Sequence, residues 1–411
     1  MDPKELQIKD FTYSLPEERI AKFPVPQRDS SRLLFYKEGN LEDYLFREID
    51  QLLPDGSLLV FNDTKVVQAR LLFQKPTGGS IELFCLEPVE PQQEMQLAMQ
   101  QTGGSVWKCL VGNAKSWKAG PLRRELGLAK DKGILEAEKV QDGPDHYLIR
   151  FKWEPAHFTF AQVLEIAGKT PLPPYFKRAS TPEDSSRYQT VYAAHEGAIA
   201  APTAGLHFTD EVLARLAGMG VKLTYLTLHV GAGTFRPVKA EQMKDHGMHA
   251  EEMSVSRLLI EQVRAHLPGP VVPVGTTSMR TLESLYWLGN KLLQGQEEPI
   301  APLHLRQWDP YGPEKKAEPV AAFEALLDFL DKKNLDHLHA STQLLIAPGY
   351  DFKVCQALIT NFHQPQSTLL LLVAAFVGPD WRQIYEHALR NNYRFLSYGD
   401  SSLLLRQESM S

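Results

Sequence analysis

Hydrophobic and polar positions change period twice between residues 200 and 238. After Thr209, apolar residues recur at helical spacing: Val212, Leu213, Leu216 and Met219. From Val221 the period becomes two, which predicts a strand that ends at His229. Because polar groups at the ends of strands form the sites of many α/β proteins, this stretch is the first candidate for chemistry.

Further along, between residues 66 and 155, short strand-like runs recur without an intervening helix. They cover residues 69–73, 80–86, 106–111, 134–139 and 146–151, and a loose, mobile loop is expected at 88–104. This rhythm predicts a small all-β barrel inserted into an α/β domain of residues 1–65 and 156–411.

The α/β part is predicted to have a mixed sheet, open or barrel-like, with flanking helices. A continuous apolar run at 57–61 and a shorter one at 271–274 are typical of buried strands. Further strands are expected at 33–36, 344–346 and 357–360. Helices are expected at 15–21, 158–168, 210–219, 279–288, 320–332, 381–391 and behind Ser367 or Thr368. Residues 290–342, which are charged and rich in proline, are predicted to be an atypical insertion. It could be a lid over the site or a solvated decoration, and the sequence favours neither.

Composition and charge narrow the class of protein. The 411 residues carry a net charge of −6, and the longest apolar run, at 369–377, is far shorter than the roughly 20 residues of a membrane span. Residues 1–10 are already polar, and the three cysteines show no paired spacing. We expect a cytoplasmic monomer that does not bind membranes.

A local basic stretch remains compatible with the negative net charge. Four of its residues are candidates for nucleic-acid contacts: Lys115, Lys118, Arg123 and Arg124. The alternative is a solvated turn region.

Polar groups follow several predicted strands. Asn62, Asp63 and Thr64 end the run at 57–61, although a plain turn is the alternative. A hydroxyl-rich loop then precedes the helix that contains Arg280, which suits a carboxylate or phosphate unless the loop only caps the helix. A polar cluster at 246–252 invites a metal, but no third ligand stands at useful spacing, so no metal is expected.

Six ordered motifs resemble one family, the S-adenosylmethionine:tRNA ribosyltransferase-isomerases of queuosine biosynthesis. They are Phe-Asn-Asp-Thr at 61–64, Ala-Pro-Thr-Ala-Gly-Leu-His-Phe-Thr at 201–209, Thr-Leu-His-Val-Gly-Ala-Gly-Thr-Phe-Arg-Pro at 227–237, Gly-Thr-Thr-Ser-Met-Arg-Thr-Leu-Glu-Ser at 275–284, Thr-Asn-Phe-His at 360–363 and Tyr-Gly-Asp at 398–400. The resemblance implies transfer of the ribosyl group of S-adenosylmethionine to 7-aminomethyl-7-deazaguanine at the wobble position of tRNA. The group is rearranged to give epoxyqueuosine, and adenine and methionine are released. S-adenosylmethionine is then a substrate, and no cofactor is implied.

The sulfonium of S-adenosylmethionine acidifies the 5′ carbon beside it, so the reaction calls for a base of near-neutral pKa. We expect His229 to be that base, with His207 as second choice and Asp63 as a partner for ribose hydroxyls or the incoming amine. The remaining substrate-binding candidates are Asn62, Thr64, Arg70, Thr203, Gly205, Gly231, Gly233, Arg236, Thr276, Thr277, Arg280, Asn361, His363, Tyr398 and Asp400.

Without the resemblance, two other classes stay open. One is a nucleotide-binding transferase that uses Gly231 and Gly233 as a phosphate cradle, and the other is a non-catalytic RNA-binding module. Release of adenine from S-adenosylmethionine would distinguish the ribosyltransferase-isomerase from both of these classes.

Overall fold

The structure is a computed structural model that describes residues 2–75, 78–118, 120–127, 132–143, 146–229, 231, 240–296, 303–313 and 315–406. The helices are α1 (Met95–Gln100), α2 (Phe160–Ala167), α3 (Asp184–Arg187), α4 (Asp210–Gly218), α5 (Arg257–His266), α6 (Thr276–Leu293), α7 (Pro319–Lys333), α8 (Thr368–Val377) and α9 (Trp381–Arg390). The strands are β1 (Arg32–Lys37), β2 (Asn40–Leu45), β3 (Leu58–Asn62), β4 (Thr64–Val66), β5 (Arg70–Gln74), β6 (Ser80–Glu90), β7 (Gly104–Gly112), β8 (Leu122–Gly127), β9 (Lys132–Asp142), β10 (Tyr147–Glu154), β11 (Gly168–Lys169), β12 (His195–Ala198), β13 (Lys222–Leu228), β14 (Glu251–Ser256), β15 (Val271–Pro273), β16 (Leu303–Leu305), β17 (His337–Thr342), β18 (Ala357–Asn361) and β19 (Ser401–Leu405).

A six-stranded mixed sheet in the order β15-β3-β13-β14-β17-β16 organises the α/β part. Its first three strands are parallel, and every residue of β3 is buried, as the continuous apolar run predicts. Thr209 caps α4 as expected, since its hydroxyl accepts from the N–H of Val212. The mixed α/β class is therefore confirmed.

A four-stranded sheet in the order β18-β19-β1-β2 lies beside it. A parallel bridge between Val274 and Ile359 connects the end of β15 to β18, and the N–H of Gly275 donates to the Ile359 carbonyl at 2.8 Å. This bridge brings the start of α6 next to the end of β18, where Asn361 stands. A two-stranded parallel pair, β12 with β4, completes this region.

A seven-stranded antiparallel sheet in the order β11-β5-β6-β7-β10-β9-β8 holds the predicted β-rich segment. It curls into a half-barrel, because Arg124 on β8 donates to the Leu72 carbonyl on β5 at 3.1 Å. Each predicted strand run overlaps one of its strands. The expectation of no helix and of a loop at 88–104 is wrong, since β6 extends to Glu90 and α1 follows. Met95, Ala98 and Met99 bury one face of α1, and this spacing of three and four was the missed signal.

Three local predictions also differ from the structure. Only Glu17–Arg19 forms a 3-10 turn in place of the helix at 15–21, because Ile20 pairs with Phe395 and ends it. Residues 344–346 are buried but form no strand, since the N–H of Leu344 bonds to a side chain. Helix α6 begins at Thr276 rather than Met279 and has no side-chain cap, so the alternative that the hydroxyl-rich loop only caps this helix is wrong.

The segment 290–342 contains β16, α7 and β17. Strands β17 and β16 are the last two strands at one side of the six-stranded sheet. Ser367 caps α8, whose side chains are buried on nearly all sides as its composition predicts. Within the described ranges, no helix combines the length and the apolar character that crossing a bilayer requires.

Candidate active site

The structure sorts the candidate residues into two clefts. The first, here the neutral cleft, has an empty volume of about 760 Å³ including the part open to solvent. Its polar lining includes Thr203, Thr276, Thr277, Asn361 and His363, and no Asp, Glu, Lys or Arg of the described chain lines it. The second, here the acidic cleft, contains His229 and Gly231 between β14 and the half-barrel. The segment from Gly197 to Ala204 contributes to both, since Gly197 and Ile199 line the acidic cleft and Ala200 to Ala204 the neutral one.

The neutral cleft forms where β15 and β18 end side by side. Gly275 precedes α6 with φ +94°, a conformation that L side chains rarely adopt, so glycine is required there. The following helix has 18 residues and no side-chain cap, which leaves the N–H groups of its first turn directed out of the helix. These N–H groups and the helix dipole make this wall of the cleft attractive to an anion.

Asn361 also lines the cleft, and a chain of hydrogen bonds behind it fixes the orientation of its amide. The Ser31 hydroxyl donates to the Arg28 carbonyl at 3.2 Å, so its oxygen accepts from Nδ1–H of His207 at 2.7 Å. Nε2 of His207 is then unprotonated and accepts from Nδ2 of Asn361 at 3.1 Å. The same Nδ2 faces the Asp400 carbonyl at 3.4 Å. Both neighbours accept, so the nitrogen must point toward them and the oxygen away.

His207 is therefore a neutral, fully bonded side chain. Burial, with the nearby charges of Arg394 and Arg28, lowers its pKa to about 3. A histidine whose two nitrogens are both engaged has no free site for a substrate proton, so the structure supports a positioning role rather than that of the second-choice base. The signal that sequence reasoning lacked was Ser31, which lies far away along the chain.

His363 is buried in the lining of the same cleft. Its Nε2 lies 2.9 Å from the Thr360 hydroxyl, and the Tyr385 hydroxyl accepts from its backbone N–H at 3.0 Å. Burial lowers its pKa to about 3, so this imidazole is also neutral. Tyr175 and Tyr188 line the cleft as well and were not anticipated.

His229 behaves differently, because it follows β13 and opens into the acidic cleft. Its Nδ1 lies 2.9 Å from the hydroxyl of Thr64, which also lies 3.4 Å from the His195 carbonyl. When that hydroxyl donates to the carbonyl, Nδ1 of His229 carries the proton and Nε2 is left as a base. Burial, and then the neighbouring His195, lower the pKa of His229 to about 4.

The turn after β3 supports this histidine. The Asn62 amide bonds to both backbone groups of Leu228, at 3.0 and 3.1 Å, and so fixes the end of β13. Asp63 accepts from the Thr227 hydroxyl at 2.7 Å and lies 3.6 Å from His195. Burial raises the pKa of Asp63, against the lowering effects of Thr227 and His195. The turn alternative is thus half right: Asn62 is structural, while Thr64 reaches the candidate base.

Carboxylates give the acidic cleft its character. Burial raises the pKa of Glu252, and the negative charges of Glu94 and Glu87 raise it further. The carboxylates of this cleft therefore repel one another. Lys108 also lines the cleft but is paired with Glu87 at 2.8 Å. Across the ranges that the structure describes, no group of three or more His, Cys, Asp or Glu side chains is arranged to hold a metal ion.

Several other candidates have structural partners. Arg280 is buried and bonds to Glu251 at 2.5 Å and to the Leu344 carbonyl at 3.1 Å, away from the helix start that it was expected to serve. Arg70 lies on the half-barrel beside Glu82, at 3.4 Å. Gly205 packs against the Tyr192 hydroxyl, which a Cβ would approach to 2.0 Å.

The last motif is structural in the same way. Tyr398 donates to Asp184 at 2.9 Å, and Asp400 accepts from the N–H groups of Arg32 and Arg394. Gly233 and Arg236 lie outside the described residues. The structure therefore leaves Thr203, Thr276, Thr277 and Asn361 in one cleft, with His229 and Gly231 in the other.

The basic candidates lie on the half-barrel. Lys115 and Lys118 are exposed, Arg123 pairs with Glu136 at 2.8 Å, and Arg124 holds β8 to β5. Two of the four cations are therefore free of these structural contacts.

Known proteins resemble this chain over nearly its whole length. Residues 8–404 match the family described as "Queuosine biosynthesis protein". A protein of Halothermothrix orenii named S-adenosylmethionine:tRNA ribosyltransferase-isomerase is 40% identical over 406 residues, which cover 97% of this chain and 100% of that one. A protein of the same name from Pelobacter propionicus is 38% identical over 403 residues, 97% of this chain and 99% of that one.

A crystal structure of S-adenosylmethionine tRNA ribosyltransferase from Thermotoga maritima is 29% identical, with a TM-score of 0.45, and covers 96% of this chain and 100% of that one. The family match spans both clefts and the half-barrel. The chain belongs to the queuosine biosynthesis protein family.

Proposed function

We propose that this protein transfers and isomerises the ribosyl group of S-adenosylmethionine onto the 7-aminomethyl-7-deazaguanine wobble base of tRNA. The products are epoxyqueuosine in tRNA, adenine and methionine. The observation that carries the proposal is the 40% identity to a protein of that name over 97% of this chain and 100% of the relative. The two clefts supply the binding groups and the base that such a reaction needs.

His229 is the proposed general base. Because its pKa is lowered to about 4, the imidazole is neutral at physiological pH, and a proton on Nδ1 directed at Thr64 leaves Nε2 free. Nε2 then removes a proton from the 5′ carbon beside the sulfonium, and the electron pair of that C–H bond stays on the carbon as the ylide. Thr64 is the positioning residue that selects this tautomer.

The acidic cleft favours positively charged substrate groups. Both the sulfonium and the aminomethyl group of the base are cationic, and each is attracted by the carboxylates around Glu252. Asp63, next to His195, is the proposed partner for ribose hydroxyls or the incoming amine.

The N-terminus of α6 is the proposed site for the methionine carboxylate. Thr276 and Thr277 line the neutral cleft and offer uncapped N–H groups and hydroxyls, while Arg280 is held by Glu251. Lys115 and Lys118, both exposed, are the proposed tRNA phosphate contacts on the half-barrel.

The finer architecture belongs to the same proposal. Residues 66–155 form an inserted barrel domain in an α/β domain of residues 1–65 and 156–411, with an insertion at about 290–342. The protein works as a cytoplasmic monomer without a cofactor. The half-barrel has an apolar cluster of its own, which supports a separate domain, and this cluster also includes residues of α2 and Ile199 beyond residue 155.

The test is incubation with S-adenosylmethionine and tRNA that carries the aminomethyl base, with unmodified tRNA as the control. Adenine and methionine should appear only with the modified tRNA, because the amine is the acceptor. Binding of tRNA without any release of adenine would contradict the proposal and favour a non-catalytic RNA-binding protein.

A further inference from the structure

Two buried polar atoms of residues that line the neutral cleft have no hydrogen-bond partner: the Tyr188 hydroxyl and Oδ1 of Asn361. Asn361 is 3% exposed, and its Oδ1 makes no hydrogen bond although it is buried. A buried acceptor without a partner is costly, by about 1–3 kcal/mol in general, and is rare in folded proteins. Oδ1 of Asn361 is therefore available to accept a hydrogen bond from a group bound in the cleft.

The chemistry of that ligand follows from the orientation of the amide. Ser31 and His207 hold Nδ2 away from the cleft, so Asn361 presents only an acceptor to it. The ligand group must therefore donate a hydrogen bond. In the same cleft, the uncapped start of α6 presents backbone N–H donors at Thr276 and Thr277, beside two hydroxyls that can donate or accept.

We propose that the neutral cleft binds the α-amino acid end of S-adenosylmethionine, with the ammonium on Asn361 Oδ1 and the carboxylate on the N-terminus of α6. This inference rests on the proposed function and names the part of the substrate that this cleft recognises. Because the described lining has no charged side chain, the cleft suits a group with opposite charges and no net charge.

A nucleobase fits this cleft less well. Stacking requires an aromatic face open to the cleft, but Tyr188 and Phe362 are 0% and 1% exposed. The third aromatic residue of the lining, Tyr175, is half-buried, and it packs against Phe176 with its hydroxyl 2.5 Å from that of Ser397. Asn361 offers no donor, so it lacks the paired donor and acceptor with which an amide side chain recognises adenine. His207 is thus a positioning residue, since its unprotonated Nε2 keeps the amide from turning over.

The test compares three probes by calorimetric titration: S-adenosylmethionine, its decarboxylated form, and 5′-methylthioadenosine, which lacks the amino acid end. Asn361→Leu should weaken binding of the first two by about ten- to a hundredfold, the usual effect of losing a hydrogen bond to a charged group. Binding of 5′-methylthioadenosine should change less than about twofold. Thr277→Val should weaken S-adenosylmethionine more than its decarboxylated form.

Asn290→Leu is the matched control, because Asn290 is also buried and on α6 but bonds to the N–H of Ala317. It should destabilise the fold without changing the order of affinities. Asn361→Asp keeps the acceptor and the shape if the leucine variant does not fold, and it should retain ammonium binding. In that variant the carboxylate holds His207 protonated, which nitrogen NMR detects, whereas wild-type Nε2 is unprotonated at neutral pH.

Equal losses for all three probes, or no loss for any, would overturn the inference while adenine release by wild type kept the proposed function intact. A wild-type protein that binds none of the probes and releases no adenine would overturn both.

Discussion

The two clefts hold similar side chains but differ in what surrounds them. At the neutral cleft, His363 in the lining and His207 behind Asn361 are buried and bonded, and the described lining carries no charge. In the acidic cleft, His229 has one nitrogen on Thr64 and stands near Glu252. The histidines of the first cleft hold a shape, whereas the histidine of the second is free to move a proton. Residue type alone does not separate these roles; the hydrogen-bond partners do.

The largest effect expected is on His229. His229→Gln removes the base, so turnover should fall by about 10²–10⁴-fold while the affinity for S-adenosylmethionine changes little. Single-turnover adenine release with modified tRNA measures the rate, and titration measures the affinity. His337→Gln, an exposed histidine on β17, is the control. Normal turnover in a folded His229→Gln protein would remove the distinction between the clefts.

Acid should destabilise the folded protein, because the buried histidines at both clefts must stay unprotonated in it. The pKa values of His207 and His363 are lowered to about 3 and that of His229 to about 4, so the folded protein binds fewer protons than the unfolded chain, whose histidines titrate near 6.5. Their contribution to stability is complete above pH 6.5 and is lost as the pH falls toward 4. Each contributes up to about 1.4 kcal/mol per pH unit within that window.

Urea unfolding at a series of pH values measures this effect. Burial raises the pKa values of Asp63 and Glu283, which act in the opposite sense, so wild type is compared with His363→Gln. The variant should lose less stability between pH 6.5 and 4.5. Parallel pH curves for the two proteins would show that His363 is not held neutral.

The smallest effect expected is on Glu252. Glu252→Gln removes one of several carboxylates, so the KM for S-adenosylmethionine should rise by a few-fold, about 1 kcal/mol or less, with kcat nearly unchanged. The difference between wild type and variant should shrink in high salt. An unchanged KM in dilute buffer would mean that the carboxylates do not act on the substrate.

Elements whose own sequence determines them were predictable. The apolar run of β3, the threonine cap of α4 and the apolar helix α8 all appear as expected, because local period and capping dictate them. Helix α1 was missed, since its three buried residues lie in a stretch rich in glutamine and proline. The sequence predicts a strand at 344–346, but the backbone of Leu344 bonds instead to the side chains of Thr342, two residues away, and of Arg280 on α6.

The candidate site was predictable in its residues and not in their grouping. Thr276, Thr277 and Asn361 could be named from sequence, yet only the bridge from Val274 to Ile359 shows that they line one cleft. Arg280 sits one turn into α6, where its direction depends on Glu251 from another strand. Contacts between residues this far apart along the chain leave no local pattern to read.

The uncharged lining of the neutral cleft has a consequence for the order of events in turnover. The amino acid end is chemically the same in S-adenosylmethionine and in free methionine, so the contacts at Asn361 and α6 survive the reaction unchanged. Methionine should therefore linger after adenine has left and compete with the next S-adenosylmethionine. A cleft that recognises the unreacted end of its substrate makes the enzyme sensitive to its own product.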